Sequence, residues 1–263
     1  ISISVADGGE DNTSPITFTL ELSVLYYQAI TGNVVNYFTG EDIASAELKV
    51  ANGTDVVSTL SSDENGEFNF RILDTLLAQS NTVTTNIEGY AEQSISLSSD
   101  QYGLFQTISL VPSNTTISFD PQQEASISVD DMVLVSFPAN SLVREDGEPI
   151  EGNVDVQVTV IDPSIDIELM PGEMLTVVDG EDSLIESFGA IDVRLHDAGG
   201  NAVDLADGME SQIRIPIPSG SNAPDTIPLY YYDTTLGRWI EEGTATKTVE
   251  DGTELYVGDV SHF

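Results

Sequence analysis

From Val154 to Val160 apolar residues fall on every second position, in the run Asn153-Val154-Asp155-Val156-Gln157-Val158-Thr159-Val160-Ile161-Asp162-Pro163. Period two is the mark of a strand with one face buried and the other in water. Upstream, Met132 to Phe137 reads as a second extended run ended by Pro138, and Glu145-Asp146-Gly147-Glu148-Pro149 has turn chemistry, so the segment 132–163 is expected to run strand, reversal, strand. The cleanest stripe in the chain is Ile16, Phe18, Leu20, Leu22 and Val24, with Thr, Glu and Ser between them. It follows a short alternating run, Ile1 to Val5, and the turn-prone Asp7-Gly8-Gly9-Glu10-Asp11-Asn12. One face of the stripe must be covered. It serves either as the first strand of the domain that follows or as an assembly strand added to the sheet edge of a neighbouring subunit.

Further along, Asn65-Gly66 predicts a tight hairpin, Phe68 and Phe70 fall on one face of the next strand, and Leu73 to Leu77 is expected to form one helical turn. Near the end, Tyr230-Tyr231-Tyr232 and Trp239 predict an aromatic hairpin with Tyr230 and Tyr232 on one face and Tyr231 on the other. The polar stretch Pro112-Ser113-Asn114-Thr115 falls where the first pattern ends, as an interdomain boundary would. The fold class is therefore all-β, two tandem β-sandwich domains with an extra N-terminal strand: residues 1–25 the N-terminal strand segment, 26–112 the first sandwich, 116–263 the second.

Two resemblances sharpen this expectation. Ile30-Thr31-Gly32-Asn33-Val34-Val35, Thr39 to Val50, Ser62 to Phe70, Glu88-Gly89-Tyr90 and Ile108 to Pro112 together resemble the carboxypeptidase regulatory-like domain. That resemblance implies a prealbumin-like sandwich without an active site of its own. Val135 to Asn140, Asn153 to Pro163, Ser187 to Leu195, Ile213 to Pro218 and Tyr230 to Trp239 resemble the ectodomains of the astroprincin family and of cartilage intermediate layer protein. This second resemblance implies an extracellular module and identifies no ligand.

Composition narrows the partners. The 263 residues carry 7 Lys+Arg against 45 Asp+Glu, a formal charge of −38, which repels nucleic acid phosphates and anionic lipid headgroups. Cations are the natural counter-partners. No stretch has the apolar length of a membrane span, so insertion is not expected, and with 40% apolar residues in regular alternation the chain reads as folded. The absence of cysteine rules out disulfides, thiolate metal sites and thiol nucleophiles. Beginning at Ile1, the chain reads as a processed or excised piece. A strongly acidic surface fits a secreted or cell-surface protein in salty surroundings, where screening relieves self-repulsion.

Catalytic chemistry finds no motif. The two histidines, His196 and His262, are near neither a Gly-x-Ser-x-Gly elbow nor a His-Glu-x-x-His pattern, and His196 reads as a strand-end residue facing water. Acidic turns supply hard oxygen ligands, so Ca2+ is the expected cofactor if one is bound, with Asp63, Asn65 and Glu67 on alternate positions of a Gly-containing turn as candidate ligands. Asp179-Gly180-Glu181-Asp182 and Asp7 to Asp11 are weaker examples of the same pattern, and each also reads as a solvated turn. Tyr231 and Trp239 are the candidate ligand-binding rings for a glycan, although burial of Trp239 with Tyr230 and Tyr232 would leave Tyr231 alone outside. An intramolecular isopeptide bond could draw its amine only from Lys49 or Lys247, and sequons occur at Asn12, Asn52 and Asn114. The sequence thus points to a non-catalytic extracellular or cell-surface structural or adhesive protein. Its expected partners are other protein subunits, in a homo-oligomer, or extracellular matrix and glycan; the alternative is a carbohydrate-binding accessory module of a larger secreted enzyme.

Overall fold

A computed structural model describes residues 2–5, 16–19, 25–76, 81–97, 101–144, 147–150 and 152–263, the first two stretches as backbone. Strands are numbered in chain order. β1 (Ser2–Val5) and β2 (Ile16–Thr19) pair antiparallel, with Ile3 opposite Phe18 and Val5 opposite Ile16. Leu20, Leu22 and Val24 of the predicted stripe lie outside the described residues.

The first sandwich faces a three-stranded sheet against a four-stranded one. The former has the order β6-β3-β9, from β3 (Tyr27–Asn36), β6 (Glu67–Leu73) and β9 (Phe105–Leu110), with β3 and β9 parallel. The latter has the order β5-β4-β7-β8, from β4 (Glu47–Asn52), β5 (Asp55–Ser61), β7 (Asn81–Asn86) and β8 (Gln93–Leu97). Alternate residues meet between the sheets: Ile30, Val34, Leu48, Val50, Phe68, Phe70, Val83, Ile108 and Leu110 form one buried core. Each such side chain contributes roughly 1.5–3 kcal/mol relative to exposure. Phe68 and Phe70 share a face as predicted and stack at 6.3 Å. Gly32 permits this packing, since a Cβ there would stand 2.1 Å from the Gln106 carbonyl oxygen and 2.5 Å from Phe68 Cζ.

The predicted Asn65-Gly66 hairpin is a different object. β5 and β6 belong to opposite sheets, so the Asp63–Gly66 turn carries the chain across the sandwich, and Gly66 alone of the pair takes a positive φ, 71°. The predicted helical turn is a 3₁₀ turn over Asp74–Leu76.

The second sandwich is unequal. Its large sheet has the order β11-β12-β19-β22-β21-β20, from β11 (Ala125–Val129), β12 (Met132–Phe137), β19 (Ser211–Pro216), β20 (Thr226–Asp233), β21 (Arg238–Glu250) and β22 (Thr253–Val260). Its small sheet has only β10 (Thr115–Phe119), β14 (Val154–Ile161) and β17 (Ala190–Asp197), with β14 in the middle. Two short pairs complete it: β13 (Leu142–Arg144) with β18 (Val203–Leu205), and β15 (Leu175–Val178) with β16 (Glu181–Leu184). The strand, reversal, strand segment spans both layers, because β12 and β14 face each other through the core residues Val135, Phe137, Val154, Val156 and Val158 instead of pairing.

β14 departs from its sequence pattern in one respect. The face carrying Gln157 and Thr159, expected to be wet, is 5% and 0% exposed at those residues. The first sandwich covers it.

Candidate functional site

The covering loop is Ile87 to Gln93, and it meets the polar face of the small sheet through side chains that strand alternation brings together. Register places Gln157 opposite Arg194, Thr159 opposite Asp192 and Asp155 opposite His196. Gln157 Oε1 accepts from the Gly89 amide at 2.8 Å and from Ser113 Oγ at 3.3 Å. Arg194 Nη1 donates to the Tyr90 carbonyl at 3.0 Å, and Gln93 Nε2 to the Glu168 carbonyl at 3.0 Å. Tyr37 Oη donates to Asp166 Oδ2 at 3.2 Å, and the Gly172 amide to the Ser94 carbonyl at 2.6 Å. Beside these bonds a third apolar cluster joins Ala91 and Val111 of the first sandwich to Ile161, Leu169, Met170 and Trp239 of the second, with Tyr37, Tyr230 and Tyr232 packed around it.

The stretch read as the boundary takes part. Pro112 bridges to Tyr90, the Ser113 amide donates to the Gly89 carbonyl at 2.8 Å, and the Asn114 amide donates to the Val158 carbonyl at 2.9 Å. Asn114 Oδ1 in turn accepts from the Val160 amide at 2.7 Å.

Electrostatically the most perturbed group is Asp192. Its Oδ2 is withdrawn from solvent and has no hydrogen-bond partner among the described residues. Burial, reinforced by the Glu92 charge, pushes its carboxyl up to about 7 against the opposing pull of Arg194. Burial and the neighbouring Arg194 push the His196 imidazole below its usual range. Asp192, Arg194 and His196 line one wall of a cleft of about 520 Å³, with Lys49, Asn86 and Glu92 of the first sandwich across from them. The cleft continues around the edge of β17 to apolar positions of the second sandwich, among them Ile213, Ile227 and Leu229.

The sites read from the sequence lie elsewhere. Asp63 Oδ1 accepts from the Asn65 amide at 2.8 Å and the Glu67 amide at 2.9 Å, so that carboxylate oxygen closes its own turn. Among the described residues no group of three or more His, Asp and Glu is gathered as a metal would need. Trp239 is 7% exposed, edge-on to Tyr232 at 5.4 Å within the junction, so its ring has no open face for a sugar; Tyr231 stacks on His262 at 4.4 Å. Trp239 sits opposite Tyr232 in the β20–β21 hairpin, and the first sandwich closes over both. His196 stands at the strand end as expected, the last residue but one of β17, and is half-buried where water was expected. Lys49 Nζ pairs with Glu47 at 3.3 Å, and Lys247 Nζ donates to the Ala223 carbonyl at 2.9 Å. Asn52 is buried with Nδ2 donating to Asn81 Oδ1 at 2.9 Å, and Asn12 lies outside the described residues. Pattern reading missed Gln157, Asp192 and Arg194; the available signal was Arg194, one of only seven cationic residues, set between Val193 and Leu195 two positions from Asp192.

No family model matches the chain, and no curated protein does. Among solved structures, a double mutant of the shaft pilin SpaA from Lactobacillus rhamnosus GG aligns at 11% identity over 75% of this chain and 91% of the pilin, with a TM-score of 0.26. A streptococcal ancillary pilin aligns at 12% identity over 82% of this chain and 58% of its own, with a TM-score of 0.23. At these TM-scores the superpositions carry no functional argument. No helix among the described residues is long and apolar enough to cross a membrane.

Proposed function

We propose that this chain is a non-catalytic structural or adhesive protein of the cell surface or extracellular space, one that assembles with other copies by β-strand addition. The observation that carries the proposal is the junction. Gln157 and Thr159 of β14 are buried, Gln157 accepts from the Gly89 amide, Thr159 donates to Ser113 and Arg194 donates to the Tyr90 carbonyl, so polar bonds tie the two sandwiches together. Two sandwiches bonded in this way are suited to passing position from one neighbour to the next. Its charge of −38 favours protein or matrix partners and salty surroundings over nucleic acid or anionic membrane. The alternating stripe Ile16, Phe18, Leu20, Leu22 and Val24 is the assembly element, since main-chain bonds would give affinity and alternate side chains register.

Sedimentation and electron microscopy of the full chain test this. Concentration-dependent linear polymers are expected, weakened by deletion of residues 1–14 while both sandwiches stay folded. A chain that remains monomeric at high concentration would sink the proposal.

A further inference from the structure

We infer that the open edge of β17, from Ala190 to Leu195, is the acceptor for the Ile16–Val24 stripe of a second copy of this chain. The inference rests on the strand-addition reading above and names the surface it would use.

Among the described residues three strands face six in the second sandwich, and the small sheet stops at β17. Among the described residues β17 pairs with β14 along one edge; along the other only His196 finds a bridge, to Ala202. An unpaired edge presents a row of N–H and C=O groups that template another strand. The cleft is lined by β17 from Ala190 to His196 and by core positions of the sandwich beside it. Ile213 and Leu229 are buried there, while Phe188, Ile191, Ile227 and Phe263, packed on the same core, are only half-buried. A fourth strand with one apolar face would cover them.

The chain contains such a strand. Ile16, Phe18, Leu20, Leu22 and Val24 supply the apolar face; Thr17, Thr19, Glu21 and Ser23 supply the other, which would look toward Lys49 and Arg194 as well as Glu92 and Asp192. In a chain of charge −38 these nine positions hold a single acid, Glu21, so two copies can approach through the stripe with little repulsion. Among the described residues β2, the described part of the stripe, pairs with β1 along one edge, and the other edge is the one that would meet β17.

Reach decides that the donor comes from another molecule. β3 ends at the junction, where Asn36 Nδ2 donates to Tyr90 Oη at 3.4 Å, so its first residue, Tyr27, stands roughly 30 Å away at the opposite pole of the first sandwich. Only Leu25 and Tyr26 separate the stripe from β3, a span of about 10 Å at full extension. With Val24 tied within that distance of Tyr27, the nine-residue stripe cannot lie along its own β17 over its whole length. Donor and acceptor at opposite parts of one body make a head-to-tail contact, which propagates as a filament.

Because the chain has no cysteine, disulfide trapping is unambiguous. Full-length Thr17→Cys or Ser23→Cys is mixed with Ala190→Cys, assembled, then oxidised; Thr59→Cys on β5, another sheet edge, is the control. A covalent inter-chain product from the β17 variant, with the productive pair reporting strand direction, is expected. Polymers that cross-link through Thr59→Cys, or through none of these positions, would overturn the acceptor and leave strand addition standing, whereas absence of polymers overturns both. Hydrogen exchange on the unmodified chain needs no variant to fold: the amides of 190–195 should slow at least about tenfold on assembly. Unchanged exchange there, in polymers seen by microscopy, refutes the assignment.

Discussion

Arg194 Nη1 donates to the carbonyl oxygen of Tyr90 across 3.0 Å, tying a strand of the second sandwich to a loop of the first. The same guanidinium offsets the charge of Asp192 two residues back along the strand. Truncating it therefore removes a bond and leaves a buried carboxylate without its compensating neighbour. Arg194→Ala should cost about 2 kcal/mol, or roughly 4–8 °C in melting temperature for a body of this size. Calorimetry should show one transition dividing into two as the sandwiches uncouple, and the emission of the single tryptophan, Trp239, should move to the red with the first of them.

Asp192 sets a pH dependence whose sign can be worked out. Its carboxyl titrates near 3.8 when unfolded and is pushed up to about 7 in the fold. Between those values the native state holds a proton that the unfolded chain has lost, so stability is greatest at the acid end and falls as pH rises toward 7. Other acids also ionise as pH rises, and the general self-repulsion has the same direction. Asp192→Asn isolates the contribution: the difference in melting temperature between variant and wild type should grow from pH 4 to pH 7 in the variant's favour and then level off. A constant difference would show that Asp192 titrates normally.

The connection between sandwiches should resist proteases. A polar, proline-containing stretch would ordinarily be a site of nicking. Here the amides of Ser113 and Asn114 are both bonded to carbonyls, at 2.8 and 2.9 Å. Limited digestion of the wild type should leave residues 110–119 uncut, and the Asn114→Ala variant, which loses the bond to Val160, should be cut there sooner.

Salt should stabilise this fold. Like charges are closer together on a folded surface than along an expanded chain, so screening favours the native state and the melting temperature is expected to rise with sodium chloride. Calcium added at fixed high ionic strength separates a bound ion from this general effect. A saturable further rise, lost in Asp63→Ala, would place an ion at the Asp63 turn; without one, screening is the whole of it. In calcium-free buffer Asp63→Ala should still cost about 1 kcal/mol, because Asp63 Oδ1 accepts two amides of its own turn.

Period two made the architecture legible: the β14 run, the paired rings of Phe68 and Phe70 and the Tyr232–Trp239 hairpin all appear where alternation puts them. Alternation tells which residues share a face, and nothing about what lies against that face. That is why Gln157 and Thr159 read as wet, why Asn65-Gly66 read as a hairpin when it crosses between sheets, and why β12 and β14 were not separable into two layers. The junction depends on contacts far apart along the chain, such as Gly89 to Gln157 and Arg194 to Tyr90, and no local spacing encodes them.

The bonded junction also has a mechanical consequence. If tension were applied between the two ends of this body, the short connection from Pro112 to Asn114 would not be stretched alone. It runs beside Gly89 and β14, so the pull would be shared with the contacts around Gln157 and Arg194, several of them displaced together in shear. Resistance to such a pull is governed by the rate at which those contacts give way. The side chains that hide the polar face of β14 would thus also set how long the body keeps its length under strain.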